Sequence, residues 1–130
     1  MLETGMTGTA ETMVTNENTA HALCSGALEV FATPAMIALM EECCFKMVQP
    51  ELEEGMGTVG TGLNIEHLAP TPVGMKVKCQ GRLTAVEGRK LVFEVEVSDE
   101  TGTVIGKGSH QRFIINSEKF QAKANAKLNA

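Results

Sequence analysis

The sequence predicts an α+β domain in which a curved antiparallel sheet wraps around one long central helix. Three observations carry that reading. The run Ala32 to Gln49, ATPAMIALMEECCFKMVQ, is apolar nearly all the way round at about 100° per residue, leaving only Glu42, Lys46 and Gln49 on a narrow polar arc. One later stretch, 75–83, alternates apolar and polar residues without error, and a second, 91–100, repeats the pattern from Phe93 on, which is the period of a strand with one buried face. Short turns join them, so neighbouring strands run antiparallel.

Taken in order, residues 9–15 (TAETMVT) alternate weakly and predict a short first strand. The following NENTAHALCSGALE has no firm period and reads as loop with a helical turn. Thr33 is expected to cap the central helix, with Pro34 at the first helical position and Pro50 ending the run. ELEEGMGTVG is a charged turn opening a strand that is expected to place Val59, Thr61, Leu63, Ile65 and His67 on one face, opposite Asn64 and Glu66. LAPTPVG turns the chain, since its prolines cannot donate to a ladder. MKVKCQGRL then points Met75, Val77, Cys79 and Leu83 inward, VEGR turns, and LVFEVEVSDE points Phe93, Val95 and Val97 inward. DETG turns again into a last strand, TVIGKGSHQRFIIN. Residues 1–118 form the domain, and residues 119–130 a Lys- and Ala-rich tail, read as a fraying surface helix or disorder.

Composition narrows the function classes. The 130 residues, 43% apolar, suffice for one core, which eight Met and aliphatic residues must fill because Trp and Tyr are absent. A net charge of −5 argues against nucleic acid or an anionic membrane as partner. The first residues, MLETGMTGTAETM, lack the apolar core of a signal peptide, and Val30 to Met40 is too short to span a bilayer, so a cytoplasmic protein is expected. Cys24, Cys43, Cys44 and Cys79 have no disulfide-framework spacing and read as reduced thiols. GMGTVG matches a dinucleotide fingerprint by letter, but it follows a helix and opens a strand, the reverse of the required context. His21 and Cys24 lack the second pair that a tetrahedral metal site needs. No cofactor and no metal are therefore expected.

Two residues stand out of pattern. Glu41 projects off the polar arc between Ile37, Phe45 and Val48, where it either snorkels from a helix edge or is a carboxylate held at a site. His67 shares a face with Leu63 and Ile65 at the end of a strand, a place where a satisfied core histidine is the common alternative. Together with Thr33 they supply a hydroxyl, an imidazole and a carboxylate, the parts of an acyl-transfer site in which either Thr33 or Glu41 could carry the acyl group. His110, between Gly108 and Arg112, is read as facing solvent.

Several blocks, ATPAMIALMEECC, TVGTGLNIEHLAPTPVG, GRKLVFEVEVSDE and IGKGSHQRF, resemble the fluoroacetyl-CoA thioesterase family of the hotdog superfamily, in order and spacing, over about Thr9 to Phe120. The resemblance implies a hotdog fold, a homodimer pairing two sheets edge to edge, and hydrolysis of an acyl-CoA substrate. It implies Thr33, Glu41 and His67 as the catalytic set, and Gly60 near the thioester as a candidate oxyanion donor. The selective member of the family closes its pocket with phenylalanines ahead of the central helix. Here Cys24 and Ala27 stand in that segment and Phe31 is its one aromatic residue. Arg89, Lys90, Lys107 and Arg112 are candidates to meet the phosphates of CoA, against the plainer reading of solvated strand faces. Two other classes fit the same residues: a hotdog protein that binds an acyl ligand without cleaving it, and a hydroxyacyl thioester dehydratase. Thr33 and Glu41 lie eight positions apart, about 12 Å along a straight helix, so a site shared across a dimer interface is expected.

Overall fold

The computed structural model describes residues 1–129. Five strands form one antiparallel sheet: β1 (Thr7–Met13), β2 (Met56–His67), β3 (Lys76–Glu87), β4 (Lys90–Asp99) and β5 (Val104–Asn116). Their order across the sheet is β1-β3-β4-β5-β2, with β3, β4 and β5 joined as hairpins. The central helix α1 spans Thr33–Val48 and continues into a 3-10 turn, Gln49–Glu51, so Pro50 sits just beyond the α-helix. A second helix, α2 (Ser117–Asn125), follows β5 and is capped by the Asn116 side chain, which accepts from the Lys119 N–H. This is an α+β hotdog arrangement. No helix among the described residues is long and apolar enough to cross a membrane.

Alternation builds the core as expected. Val77, Cys79 and Leu83 of β3 and Leu91, Phe93, Val95 and Val97 of β4 are buried, and they pack on Met36, Leu39, Met40, Cys43, Cys44 and Val48 of α1. The polar arc of the helix carries the Glu42–Lys46 ion pair, 2.8 Å apart and one helical turn in spacing. Gly106 lets the helix approach the sheet closely, because a Cβ there would overlap the Met36 thioether.

Two local expectations change. Thr33 is the first helical residue and Ala32 is the N-cap, with no side-chain cap bond. The threonine hydroxyl is consequently free for another partner. The segment ahead of the helix is, as expected, loop with one helical turn, closed by Leu23 N–H to the Thr19 carbonyl. It is pinned by Ala20 N–H to the Val30 carbonyl, Phe31 N–H to the Thr71 carbonyl, and Ala32 N–H to the Asn18 carbonyl. In β2 the register shifts between Gly60 and Gly62. One extra residue in a strand flips every later side chain to the other face. Leu63, Ile65 and His67 therefore share a face with Gly60 and Thr58, while Val59 points the other way, beside Phe113.

Candidate active site

Thr33, Ile37, Glu41 and Phe45 recur every four residues and so form one ridge of α1. Unlike the core face, this ridge is half-exposed or exposed along its length. Strand β2 runs beside it, with His67 at the Thr33 end and Gly60 at the Glu41 end.

At the helix start, Thr33 Oγ1 and His67 Nδ1 are 2.7 Å apart. Both are held by backbone: Thr33 by the pinned segment before it, and His67 by its pairing with Gly106 and by the Leu68 N–H bond to the Ile105 carbonyl. With Nδ1 accepting the hydroxyl proton, the remaining ring hydrogen sits on Nε2. That atom is buried and has no hydrogen-bond partner among the described residues. Burial holds the His67 pKa below the usual imidazole value, with a weaker opposing effect from the Ala69 backbone. The ring is thus neutral near pH 7, as a general base must be. Thr33 also lies at the positive end of the α1 dipole, which favours negative charge developing on its oxygen.

Further along, Arg112 reaches in from β5. Its Nε donates to Thr58 Oγ1 at 2.8 Å and Nη2 to the Thr58 carbonyl at 3.0 Å. Nη1 lies 3.4 Å from Glu41 Oε2 and 3.2 Å from His110 Nε2. The guanidinium also sits over the Phe45 ring, 5.8 Å from its centroid. Burial lowers the Arg112 pKa from its ordinary value, and the Glu41 charge works against that shift. A Cβ at Gly60 would stand 2.5 Å from Glu41 Oε2, so glycine is required for the carboxylate to lie against β2.

The structure thus brings Thr33 to His67, and Glu41 to Gly60 and Arg112, in two separate clusters within one chain. It also corrects two assignments. Arg112 is 6% exposed and turned toward the helix, away from any surface where it could meet a nucleotide phosphate. His110 is fully buried rather than facing solvent. Lys107, an odd number of residues from Arg112, points to the opposite face of the sheet, and Arg89 stands in the exposed turn after Gly88, next to Lys90. These three cations do not converge. Phe31 is buried and lines a cleft of about 340 Å³ with Pro34, Ala35, Ala38 and Leu39. A larger concavity, about 840 Å³, lies on the outer sheet face among Gln80, Arg82, Glu94, Glu96 and Lys107, and none of Thr33, Glu41 or His67 lines it. Among the described residues no three His, Cys, Asp or Glu side chains gather as a metal-binding group. The Cys44 thiol is pushed up to about 12 by burial and by neighbouring Cys43, which leaves it no thiolate for nucleophilic work.

A family model described as fluoroacetyl-CoA-specific thioesterase, FlK, matches residues 14–118. The chain belongs to the fluoroacetyl-CoA-specific thioesterase family. It is 43% identical over 102 residues to the fluoroacetyl-CoA thioesterase of Streptantibioticus cattleyicolor, covering 78% of this chain and 73% of the relative. A solved structure of FlK superposes with a TM-score of 0.92 at 36% identity, covering 98% of each chain. A Thermus thermophilus protein described as a thioesterase superfamily member superposes at 0.91 with 31% identity, covering 99% of this chain and 95% of that one. A phenylalanine-to-alanine variant of FlK has been solved with fluoroacetate and CoA. As a member of this family the protein is a thioester hydrolase.

Proposed function

We propose that the protein hydrolyses short-chain acyl-CoA thioesters to the free acid and CoA, without singling out a fluorinated acyl group. It works in the cytosol as a homodimer with two composite sites. The observation that carries the reading is the 2.7 Å contact of Thr33 Oγ1 with His67 Nδ1, a hydroxyl in bonding distance of a neutral imidazole. Thr33 Oγ attacks the thioester carbonyl while its proton passes to His67 Nδ1. The C–S bond then breaks, and the departing thiolate takes that proton. Water, deprotonated by the same nitrogen, attacks the acyl-threonine, the acid leaves, and the threonine oxygen recovers its proton. Gly60 lies at the Glu41 end of its own chain's ridge, so its N–H is the candidate donor to the developing negative oxygen only as the second copy's contribution to a composite site.

A dimer is supported by three features of the single chain: the half-exposed ridge of α1, the unpaired outer edge of β2, and the partnerless Nε2 of His67. The Glu41 carboxylate of a second copy would satisfy that nitrogen, orient the ring and stabilise the imidazolium formed in each step. Tolerance among acyl groups is supported by Cys24 and Ala27 ahead of the helix, where aromatic bulk is missing, and by adaptable Met side chains such as Met36 and Met40 in the core beside it.

Incubation with acetyl-, propionyl-, fluoroacetyl- and hydroxyacyl-CoA, followed by mass measurement of free CoA, tests the reading. Light scattering on the same sample gives the size of the active species. Thiol release is expected, with kcat/KM for the first three within roughly a hundredfold, the span of methylene-scale differences. Binding without turnover would make the protein a ligand carrier, and dehydration without thiol release a dehydratase. An active monomer would dispose of the composite site.

A further inference from the structure

We propose that His110 is a positioning residue for Glu41: neutral, with its proton on Nδ1, it ties the bulge of β2 to the Arg112 guanidinium. In doing so it fixes both groups that locate the carboxylate. The inference rests on the thioesterase reading of the site.

His110 is 0% exposed, and each of its ring nitrogens has a partner. Nδ1 is 2.9 Å from the Gly62 carbonyl oxygen, which can only accept, so Nδ1 carries hydrogen. Nε2 is 3.2 Å from Arg112 Nη1, which can only donate, so Nε2 presents a lone pair. One protonation state satisfies both contacts. A doubly protonated ring would set its Nε2–H against an arginine N–H and lose that bond. The ring orientation is fixed by Phe93 of β4, stacked at 6.1 Å between centroids and 27° between planes. The charged groups near it are Arg112 on its own strand and Glu41 from α1; β2 offers the Gly62 carbonyl and the apolar Leu63 opposite, and β4 the Phe93 ring.

What His110 grips is what locates Glu41. Gly62 closes the register shift that begins at Gly60, and the Gly60 α-carbon abuts Glu41 Oε2. Arg112 Nη1, whose second hydrogen reaches the same Oε2, is the carboxylate's one charged contact among the described residues. The other guanidinium nitrogens are bound to Thr58, so the His110 lone pair supplies the bond that aims Nη1. Remove it, and Nη1 keeps a buried hydrogen with no acceptor while the bulge carbonyl loses its donor.

Two measurements test this on the full-length protein. Nitrogen NMR of histidine-labelled protein reads the tautomer directly and needs no turnover. The Nδ1–H form of His110 is expected, and an Nε2–H form or an imidazolium at neutral pH would overturn the proposal. In steady-state kinetics, His110→Leu should lower kcat by roughly a hundredfold, with KM changed less than about threefold, from the loss of two buried bonds, one to a charged group. His110→Gln, whose carbonyl can still accept from Arg112, should recover about a tenth of wild-type kcat, and it carries the test if the leucine variant does not fold. A folded leucine or glutamine variant with wild-type kcat would sink the positioning role. A wild-type protein that cleaves no thioester would defeat the proposed function while leaving the NMR result to judge the His110 network by itself.

Discussion

The two ends of the α1 ridge are built on opposite principles. At the Glu41 end nearly every strong donor has a home: Arg112 spends four of its five hydrogens on Thr58, His110 and Glu41, and His110 uses both nitrogens. At the Thr33 end one short bond joins an exposed hydroxyl to an imidazole whose other nitrogen is left buried and unmatched. A saturated network holds a geometry, whereas an unsaturated pair is poised to exchange a proton or to accept one more partner. On the proposed reading, that difference gives the chemistry to Thr33 and His67 and the scaffolding to the Arg112 cluster, with Glu41 at the border between them.

The most direct way to break this contrast is to remove the poised imidazole. His67→Ala should lower kcat by about a hundredfold or more with little loss of fold, since general-base groups contribute roughly 10²- to 10⁴-fold. Unchanged turnover would move the base elsewhere. Disturbing the saturated end should cost less. Gly60→Ala would drive a methyl carbon to 2.5 Å from Glu41 Oε2, and a displaced carboxylate should reduce kcat by roughly tenfold to a hundredfold. A crystal structure of that variant with Glu41 unmoved and full activity would show that the close approach has no catalytic meaning.

The smallest effect sharpens the comparison through pH. Burial lowers the pKa of both His67 and His110. As pH falls through about 6.5, unfolded chains take up these protons first, so folding stability is complete above that value and declines between it and the depressed folded pKa values. Activity should follow the same direction: kcat/KM is flat from about pH 7 upward, and its acid limb lies below about 6.5, the ordinary imidazole value. A limb centred above that value would mean that His67 is stabilised as its cation, contrary to its desolvated position. Thermal melts across the same range check the stability half.

Much of the fold was legible because it is local. The apolar circumference of α1 and the strict alternation in β3 and β4 each follow from a period that a dozen residues display, and the structure keeps both. Glu41 and His67 could be singled out for the same reason, as polar residues breaking an apolar pattern. The register shift at Gly60 to Gly62 was not legible, since a bulge is decided by the partner strand and reverses the faces of everything beyond it. Nor was the inward turn of β5 legible. Its helix-facing set is Gly106, Gly108, His110, Arg112 and Ile114, while Phe113 points out, so reading for buried apolar residues selects the wrong face. Counting by twos back from Ile114 would have placed His110 and Arg112 inside and Lys107 outside.

By itself, then, the sequence determined an α+β domain with one wrapped helix and an out-of-pattern acid and imidazole, because helix and strand periods are properties of the chain. Only the tertiary structure decided which groups meet: Thr33 with His67 across thirty-four positions, and Arg112 with Glu41 across seventy-one. Those pairings depend on how a helix ridge lies along a bulged edge strand. They join residues far apart in the chain, and no local period records them.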